Sequence, residues 1–212
     1  MTTTRARKLI LGGLLIIVSL ILGTRGALSA PAGSVTASVK KGRLVVSGTG
    51  TADQVAIRLR PGDASIVEID VHIDGVAEFS FARSRFTAID VGLGGGNDTA
   101  RVDETNGVFT DTELTRLAGG LGDDVLLGGH GPETLVGGAG VDFVDGNQGV
   151  DRVQLDAGDD TVQWDPGDGS DIIDGGDGSD RLRFNASNAG ETLDLSATSN
   201  RLRLTRDIGT VT

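Results

Sequence analysis

The stretch GGLGDDVLLGGHGPETLVGGAGVDFVD, residues 119–145, repeats a pair of glycines every nine residues and places an acidic residue five positions after each pair begins. Glycine loses more backbone freedom on folding than any other residue, and neighbouring carboxylates repel one another. A chain that keeps both features on a fixed period therefore requires an arrangement, or a ligand, that offsets these costs.

The nine-residue period extends well beyond this stretch. In the frame of the first glycine pair, seven units occupy residues 119–183, and Trp164 and Asp165 are inserted before the sixth unit. The units read GGLGDDVLL, GGHGPETLV, GGAGVDFVD, GNQGVDRVQ, LDAGDDTVQ, PGDGSDIID and GGDGSDRLR. A looser copy, LGGGNDTAR, occupies residues 93–101.

Three columns of the unit hold one kind of residue throughout. Column four is glycine, column eight is aliphatic, and column six is acidic in all seven units: Asp124, Glu133, Asp142, Asp151, Asp160, Asp171 and Asp180. A flexible linker would not keep a branched apolar residue in register over seven units. We therefore predict that each unit is a six-residue turn followed by a three-residue strand, with the column-eight side chain pointing inward.

One buried Leu or Val per unit does not offset the entropy lost in ordering nine residues and the repulsion between the carboxylates. A ligand that favours stacked carboxylates and exposed carbonyl oxygens is needed. Calcium accepts six to eight oxygen ligands in flexible geometry, whereas magnesium demands a tight octahedron. The pattern therefore predicts that several calcium ions bind along the repeats.

The units resemble the GGxGxDxUx nonapeptides of the RTX, or haemolysin-type, calcium-binding family, and the resemblance covers residues 119–183. It implies a right-handed parallel β-roll in which each unit makes half a coil, so that successive turns alternate between two edges. It also implies that each calcium ion lies between turns two units apart, held by column-six carboxylates and by turn carbonyls.

Carried onto this chain, the resemblance assigns the column-six ligands to two edges. One edge holds Asp124, Asp142, Asp160 and Asp180, the other holds Glu133, Asp151 and Asp171, and glycine carbonyls are contributed by residues such as Gly122, Gly140 and Gly158. The chain departs from the family pattern at a few positions, where Glu133 follows Pro132 and where glycines are replaced by Asn147, Leu155, Asp156 and Pro166. The remaining acidic residues Asp123, Asp159, Asp168 and Asp177 are expected to be solvated or to lie behind the ligands.

The sequence on either side of the repeats alternates apolar and polar residues, as strands do. Examples are QVAIRLR at 54–60 and IVEIDVHID at 66–74, the latter followed by a hairpin signal, Asp74-Gly75. We therefore predict an all-β chain: an N-terminal antiparallel β region over 33–92, the roll over 93–183, and a short C-terminal β segment over 184–212. At 110–118 the letters fit either a short helix or an irregular turn.

The first 30 residues read as a secretory signal peptide. Three basic residues precede an apolar run at 9–24, which is followed by the small residues ALSAPA. The run is shorter than the roughly 20 residues that span a bilayer, which disfavours the alternative of a membrane anchor. Cleavage is expected between Ser29 and Ala32, so the mature protein is predicted to be secreted and free of the membrane.

Charge and motifs narrow the range of functions. Residues 93–183 hold 20 acidic residues against five arginines, which makes nucleic acid and anionic membranes poor partners. There is no cysteine, and neither HExxH nor GxSxG occurs. The sequence predicts a non-enzymatic calcium-binding protein, and it does not identify a protein or cell-surface partner. Two alternatives stay open: a calcium-stiffened adhesin or surface scaffold, and a truncated part of a larger secreted enzyme.

Overall fold

The computed structural model of the chain describes residues 33–187, 191–198 and 201–208. Within these ranges the protein is all-β, as predicted, and the single helical element is a short 3-10 turn at Arg83–Arg85. None of the described residues forms a helix with the length and apolarity needed to cross a bilayer. The predicted signal peptide lies outside the described residues.

The described residues form seventeen strands. In chain order these are β1 (Thr36–Lys40), β2 (Arg43–Ser47), β3 (Gln54–Arg60), β4 (Asp63–Val71), β5 (Phe79–Ala82), β6 (Ala88–Gly95), β7 (Thr99–Asp103), β8 (Leu114–Leu121), β9 (Val125–Leu127), β10 (Glu133–Ala139), β11 (Phe143–Asp145), β12 (Arg152–Ala157), β13 (Thr161–Trp164), β14 (Ile172–Asp174), β15 (Arg181–Phe184), β16 (Glu191–Thr198) and β17 (Arg201–Ile208).

Strands β1 to β15 are divided between two sheets. The first sheet has the order β1-β2-β6-β8-β10-β12-β14, and the second has the order β15-β13-β11-β9-β7-β3-β4-β5. From β6 to β15, consecutive strands go to opposite sheets, and each strand from β8 to β15 pairs in parallel with the strand two places before it in the chain. This alternation is the two-sided β-roll that the resemblance to RTX repeats implies. Strands β16 and β17 form a separate antiparallel hairpin.

The core of the roll consists of the column-eight side chains, stacked in register. In the second sheet Leu126 pairs with Val144, which pairs with Val162, and all three are buried. In the last coil of the described roll, Ile173 and Leu182 are each 37% exposed. The aliphatic ladder therefore runs the length of the repeats and loses its cover at their C-terminal end.

The N-terminal strands pair with the strands of the roll. They are antiparallel within the pairs β1–β2, β3–β4 and β4–β5, in keeping with the predicted antiparallel region. However, β2 pairs in parallel with β6, and β3 pairs in parallel with β7, so both sheets of the roll continue into 33–92. One hydrophobic cluster accordingly extends from Val35 to Val162.

The segment at 110–118 is a turn followed by strand β8, so of the two interpretations the helix is wrong. The backbone amides of Phe109 and Thr110 donate to the Glu104 carboxylate at 2.7 and 2.9 Å, and Phe109 is fully buried. These contacts fix an irregular turn, after which Leu114 begins the strand.

Candidate metal centre

Six of the seven repeat turns have a left-handed backbone conformation in column two, and Gly129 is the exception. Gly120 and Gly138 have φ values of +118° and +121°. Asn147 and Asp156 fill the same column with φ values of +57° and +70°, a region that Asn and Asp tolerate better than other side chains do. These two departures from the glycine pattern therefore preserve the shape of the turn.

Column-four glycines allow turns two units apart to stack in direct contact. A Cβ on Gly140 would overlap the carbonyl oxygen of Gly122, and a Cβ on Gly158 would overlap that of Gly140. A Cβ on Gly178 would overlap the carbonyl oxygen of Gly158 in the same way. The structure thus places the carbonyls of Gly122, Gly140 and Gly158 between consecutive turns of one edge.

The column-six carboxylates of that edge form a hydrogen-bonded series, which we call the first ladder. The amide of Asp124 donates to Asp142 Oδ1 at 2.9 Å, and the amide of Asp142 donates to Asp160 Oδ1 at 2.7 Å. The amide of Asp160 donates to Asp180 Oδ1 at 3.1 Å. Each carboxylate is therefore held against the turn of the preceding coil by one of its two oxygens.

The opposite edge carries a second ladder. The amide of Glu133 donates to Asp151 Oδ1 at 2.8 Å, and the amide of Asp151 donates to Asp171 Oδ1 at 2.9 Å. The residue in register with Glu133 in the preceding coil is Thr115, so the acidic series of this edge begins at Glu133. The seven column-six residues are thus brought together in the two sets that the sequence predicts.

In five of the seven column-six carboxylates, and in Asp98, the other oxygen is buried without a protein partner. Among the described residues, all buried side-chain oxygens that lack a hydrogen-bond partner belong to carboxylates of this column: Asp98 Oδ2, Asp124 Oδ2, Glu133 Oε1, Asp142 Oδ2, Asp151 Oδ2 and Asp160 Oδ2. A buried oxygen without a partner costs several kcal/mol, on the order of 2–7 for transfer out of water. A cation beside each oxygen would remove that cost, so the donor set fits a hard dication.

Burial also disfavours the charged form of these groups. It raises the pKa of Asp142 to about 6, that of Glu133 to about 7 and that of Asp151 to about 8, and neighbouring carboxylates add to each shift. The pKa values of Asp124 and Asp160 are raised for the same two reasons. A bound dication would reverse the effect, because it stabilises the ionised carboxylates.

The ladders weaken at their C-terminal end. Asp171 is half-buried and Asp180 is exposed, although both accept a backbone hydrogen bond from the preceding coil. Oxygens that water reaches carry less of the desolvation cost that applies to Asp124, Asp142 and Asp160. The strongest case for a bound ion therefore lies in the middle of the roll.

The acidic residues outside column six behave differently from the ladders. Asp123 and Asp159 are exposed, and their Oδ1 atoms accept hydrogen bonds from Val141 and Ser179 amides in the next coil. Asp177 is exposed as well. These three positions agree with the expectation that they are solvated.

Asp168 is buried, so of the two expectations for it the solvated one is wrong, and a place behind the ligands stays a prediction. Its carboxylate oxygens lie within 4.8 Å of those of Asp145 and Asp165, in a cluster that a metal could enter. The Gln163 side chain donates to both Asp145 and Asp165, and the Asp165 amide donates to Asp168. None of the buried oxygens without a hydrogen-bond partner in the described structure belongs to this cluster, which distinguishes it from the ladders. Sequence analysis missed the cluster because the two-residue insertion disrupts the period there.

Sequence analysis also missed two members of the first ladder. The amide of Asp98 donates to Asp124 Oδ1 at 2.8 Å, and the amide of Asp53 donates to Asp98 Oδ1 at 2.7 Å. Asp98 is column six of the loose copy at 93–101, a signal that was available. Asp53 follows GTGTA, which keeps too few repeat letters for the period to reveal it.

Comparison with known proteins agrees with this geometry. The family model of the RTX calcium-binding nonapeptide repeat matches in four copies, over residues 115–131, 127–162 and 167–188. The break after 162 coincides with the Trp164-Asp165 insertion. No curated protein and no solved structure matches the chain. Residues 115–162 and 167–188 of this chain therefore match the RTX calcium-binding nonapeptide repeat, and they stack as the coils of a β-roll.

Proposed function

We propose that this chain is a secreted, non-enzymatic calcium-binding protein whose roll takes up several calcium ions between stacked turns as it folds. The observation that supports this most directly is the row of buried carboxylate oxygens without a protein partner. Calcium suits them better than magnesium, because it takes six to eight oxygen ligands and tolerates irregular geometry.

The coupling to folding follows from where the ligands lie in the chain. Successive members of the first ladder, such as Asp124 and Asp142, are 18 residues apart and meet only when two coils stack. An unfolded chain therefore offers no formed site, and calcium binds the folded roll in preference. Binding energy of this kind adds directly to the stability of the folded state.

The adhesin alternative would require an exposed apolar or aromatic patch on 33–92. In that part of the described structure, Val76 is the one large hydrophobic side chain that is strongly exposed, at 62%. A single exposed hydrophobic residue is ordinary for a protein surface. We therefore favour the calcium-binding module without a docking patch in this region.

Far-UV circular dichroism of the purified chain tests the calcium part of the proposal. In calcium-stripped buffer we expect a reduced β-sheet signal, which calcium chloride restores and an equal concentration of magnesium chloride restores poorly. Isothermal titration then gives the number of ions bound. Identical spectra in stripped, magnesium and calcium buffers would contradict the coupling of binding and folding.

The secretion part has its own test. The succession of basic, apolar and small residues at the N-terminus predicts cleavage on export. Sequencing of the exported protein is expected to begin between Ala30 and Val35. A mature product that retains Leu9 to Leu22 would contradict the proposal.

A further inference from the structure

The turn at 48–53, GTGTAD, lies far outside the matched repeats but stacks as the next coil of the roll. The Gly95 amide donates to the Thr49 carbonyl at 3.1 Å, and the Thr99 amide donates to the Asp53 carbonyl at 2.8 Å. The second contact repeats those that the amides of Val125 and Phe143 make to the carbonyls of Asp98 and Asp124. Residues 48–53 thus occupy the position of a repeat turn, although 45 residues separate Asp53 from Asp98.

The strand after this turn is also in register with the roll. Val55 of β3 pairs with Ala100 of β7, which pairs with Leu126 of β9. All three side chains are fully buried and continue the column-eight ladder. The turn and its strand together form one further unit, which keeps only the first glycine, the acidic residue and the aliphatic residue of the repeat.

The backbones of the two turns approach each other as closely as those of the repeats do. A Cβ on Gly94 would overlap the Thr49 carbonyl oxygen, and a Cβ on Gly48 would overlap the Leu93 carbonyl oxygen. Gly48 also lies against its own turn's carboxylate, since a Cβ there would be 2.8 Å from Asp53 Oδ2. Carbonyl oxygens and carboxylates are therefore concentrated between turns 48–53 and 93–98.

One carboxylate in this place has the property that marks the ladder sites. Asp98 is 1% exposed; its Oδ1 accepts the Asp53 amide, and its Oδ2 has no partner. Asp53 differs, because its Oδ2 accepts the Thr49 amide at 2.7 Å and the Thr49 hydroxyl at 3.0 Å. At Asp53 the protein therefore supplies the hydrogen-bond partners of Oδ2. At this N-terminal end of the first ladder, the outermost buried oxygen without a partner is Asp98 Oδ2.

We propose that Asp98 Oδ2, with carbonyl oxygens of turns 48–53 and 93–98, holds a calcium ion that lies outside the recognised repeats. The inference rests on the proposed calcium binding by column-six carboxylates and extends it by one coil. The ion would hold the turn at 48–53, which leads into β3, against the next coil of the roll. Calcium would then stabilise part of 33–92 as well as the repeats.

The test compares two charge-removing variants of the full chain. Asp98→Asn keeps an oxygen to accept the Asp53 amide but removes the charge that a dication needs. Asp90→Asn removes the same charge from the strand that leads into the turn, where the side chain is 35% exposed and pairs with Arg43 and Arg116. Isothermal titration with calcium chloride is expected to show one ion fewer for Asp98→Asn and the wild-type number for Asp90→Asn.

The outcomes separate this inference from the proposed function. Wild-type chain that binds no calcium would overturn both, whereas wild-type binding with an unchanged ion number in Asp98→Asn would overturn this inference alone. Crystals of the wild-type chain grown with calcium give an answer that does not depend on how the variant folds. Anomalous density beside Asp98 Oδ2 supports the site, and density at Asp124 and Asp142 without density at Asp98 overturns it.

Discussion

At the scale of the residue, each ladder carboxylate serves two roles with its two oxygens. In Asp142, Oδ1 accepts the amide of Asp124, and Oδ2 is buried without a partner. Asparagine could fill the first role but not the second, because an amide cannot supply a charged oxygen to a dication. Replacing a ladder aspartate by asparagine therefore removes the charge of the side chain and keeps its hydrogen bond to the preceding coil.

Asp142→Asn is expected to weaken calcium binding on both sides of its coil, by more than the roughly 10–100-fold that follows loss of a group behind the ligands. The matched control is Asp123→Asn. This variant removes the same charge from the turn of the preceding coil and keeps an oxygen that accepts the Val141 amide. Asn97 already accepts the Asp123 amide in the same way, one coil earlier. Isothermal titration compares the two variants. Equal calcium number and affinity in both would show that column six does not hold the ions.

The close stacking of the turns predicts the effect of a single methyl group. Gly140→Ala places an L side chain at a φ of +141° and drives its Cβ into the Gly122 carbonyl oxygen. The strained backbone alone costs roughly 1–3 kcal/mol, and the overlap adds to that. Gly92→Ala is the control, because its φ lies outside the left-handed region and a Cβ there has no atom within 4 Å. Thermal unfolding in saturating calcium is expected to show a large loss of stability for Gly140→Ala and almost none for Gly92→Ala.

At the scale of the element, the nine-residue period predicted the turns and strands of the repeats, but it did not predict pairing between strands that are far apart in the chain. Column eight predicted the buried Leu126 and Val144 and column six predicted the acidic residues, because both columns recur within a short stretch, and the resemblance to RTX repeats implied their division between two edges. The alternation in 54–60 is the same whether β3 pairs in parallel or antiparallel, so the parallel pairing of β3 with β7 was hidden. The unit at 48–56 was missed because a long excursion through β4, β5 and β6 separates it from the next coil.

The raised pKa values of the ladder carboxylates predict a pH dependence of the calcium-free chain. Burial raises the pKa of Asp142 to about 6 and that of Asp151 to about 8, above the ordinary value near 4. A raised pKa in the folded state means that the protonated carboxyl favours folding. That stabilisation is fully present below pH 4 and is lost as the pH rises from 4 through the folded-state pKa values of about 6 and about 8.

In calcium-stripped buffer, the β-sheet signal in far-UV circular dichroism is therefore expected to increase as the pH falls from 8 to 5. With calcium present, the midpoint of the calcium titration is expected to move to higher concentration over the same range, because protons and calcium compete for the carboxylates. Asp151→Asn is the control that separates the ladder from general charge neutralisation, and it is expected to flatten the calcium-free response. A calcium-free signal that decreases toward pH 5 would contradict the shifts.

At the scale of the whole molecule, one core connects regions whose charge differs sharply. The excess of acidic residues lies entirely in 93–183, whereas the hydrophobic cluster runs without a break from Val35 to Val162. The N-terminal pair β3–β4 has support that does not depend on calcium. Arg58 is buried between Glu68 and Asp70, and the Gly75 amide donates to Asp70 as well. When calcium is removed, the acidic repeats in 93–183 are thus expected to unfold before β3 and β4, although the same two sheets contain both regions.

Hydrogen exchange measured by mass spectrometry checks this order. In calcium-stripped buffer, strands β9 to β15 are expected to lose protection, starting near Ile173 and Leu182, because the exposed aliphatic side chains at that end offset less of the repulsion between carboxylates. Strands β3 and β4 are expected to keep most of their protection, while the turn at 48–53 loses its own with the roll if Asp98 holds an ion. Magnesium is expected to leave the pattern close to that of the stripped chain, since it resists the irregular coordination that stacked turns offer. Equal protection of β9 to β15 in magnesium and in calcium would show that the roll does not select its ion. Uniform loss of protection across β3 to β15 in stripped buffer would show that the shared core, and not the ladders, sets the stability of the molecule.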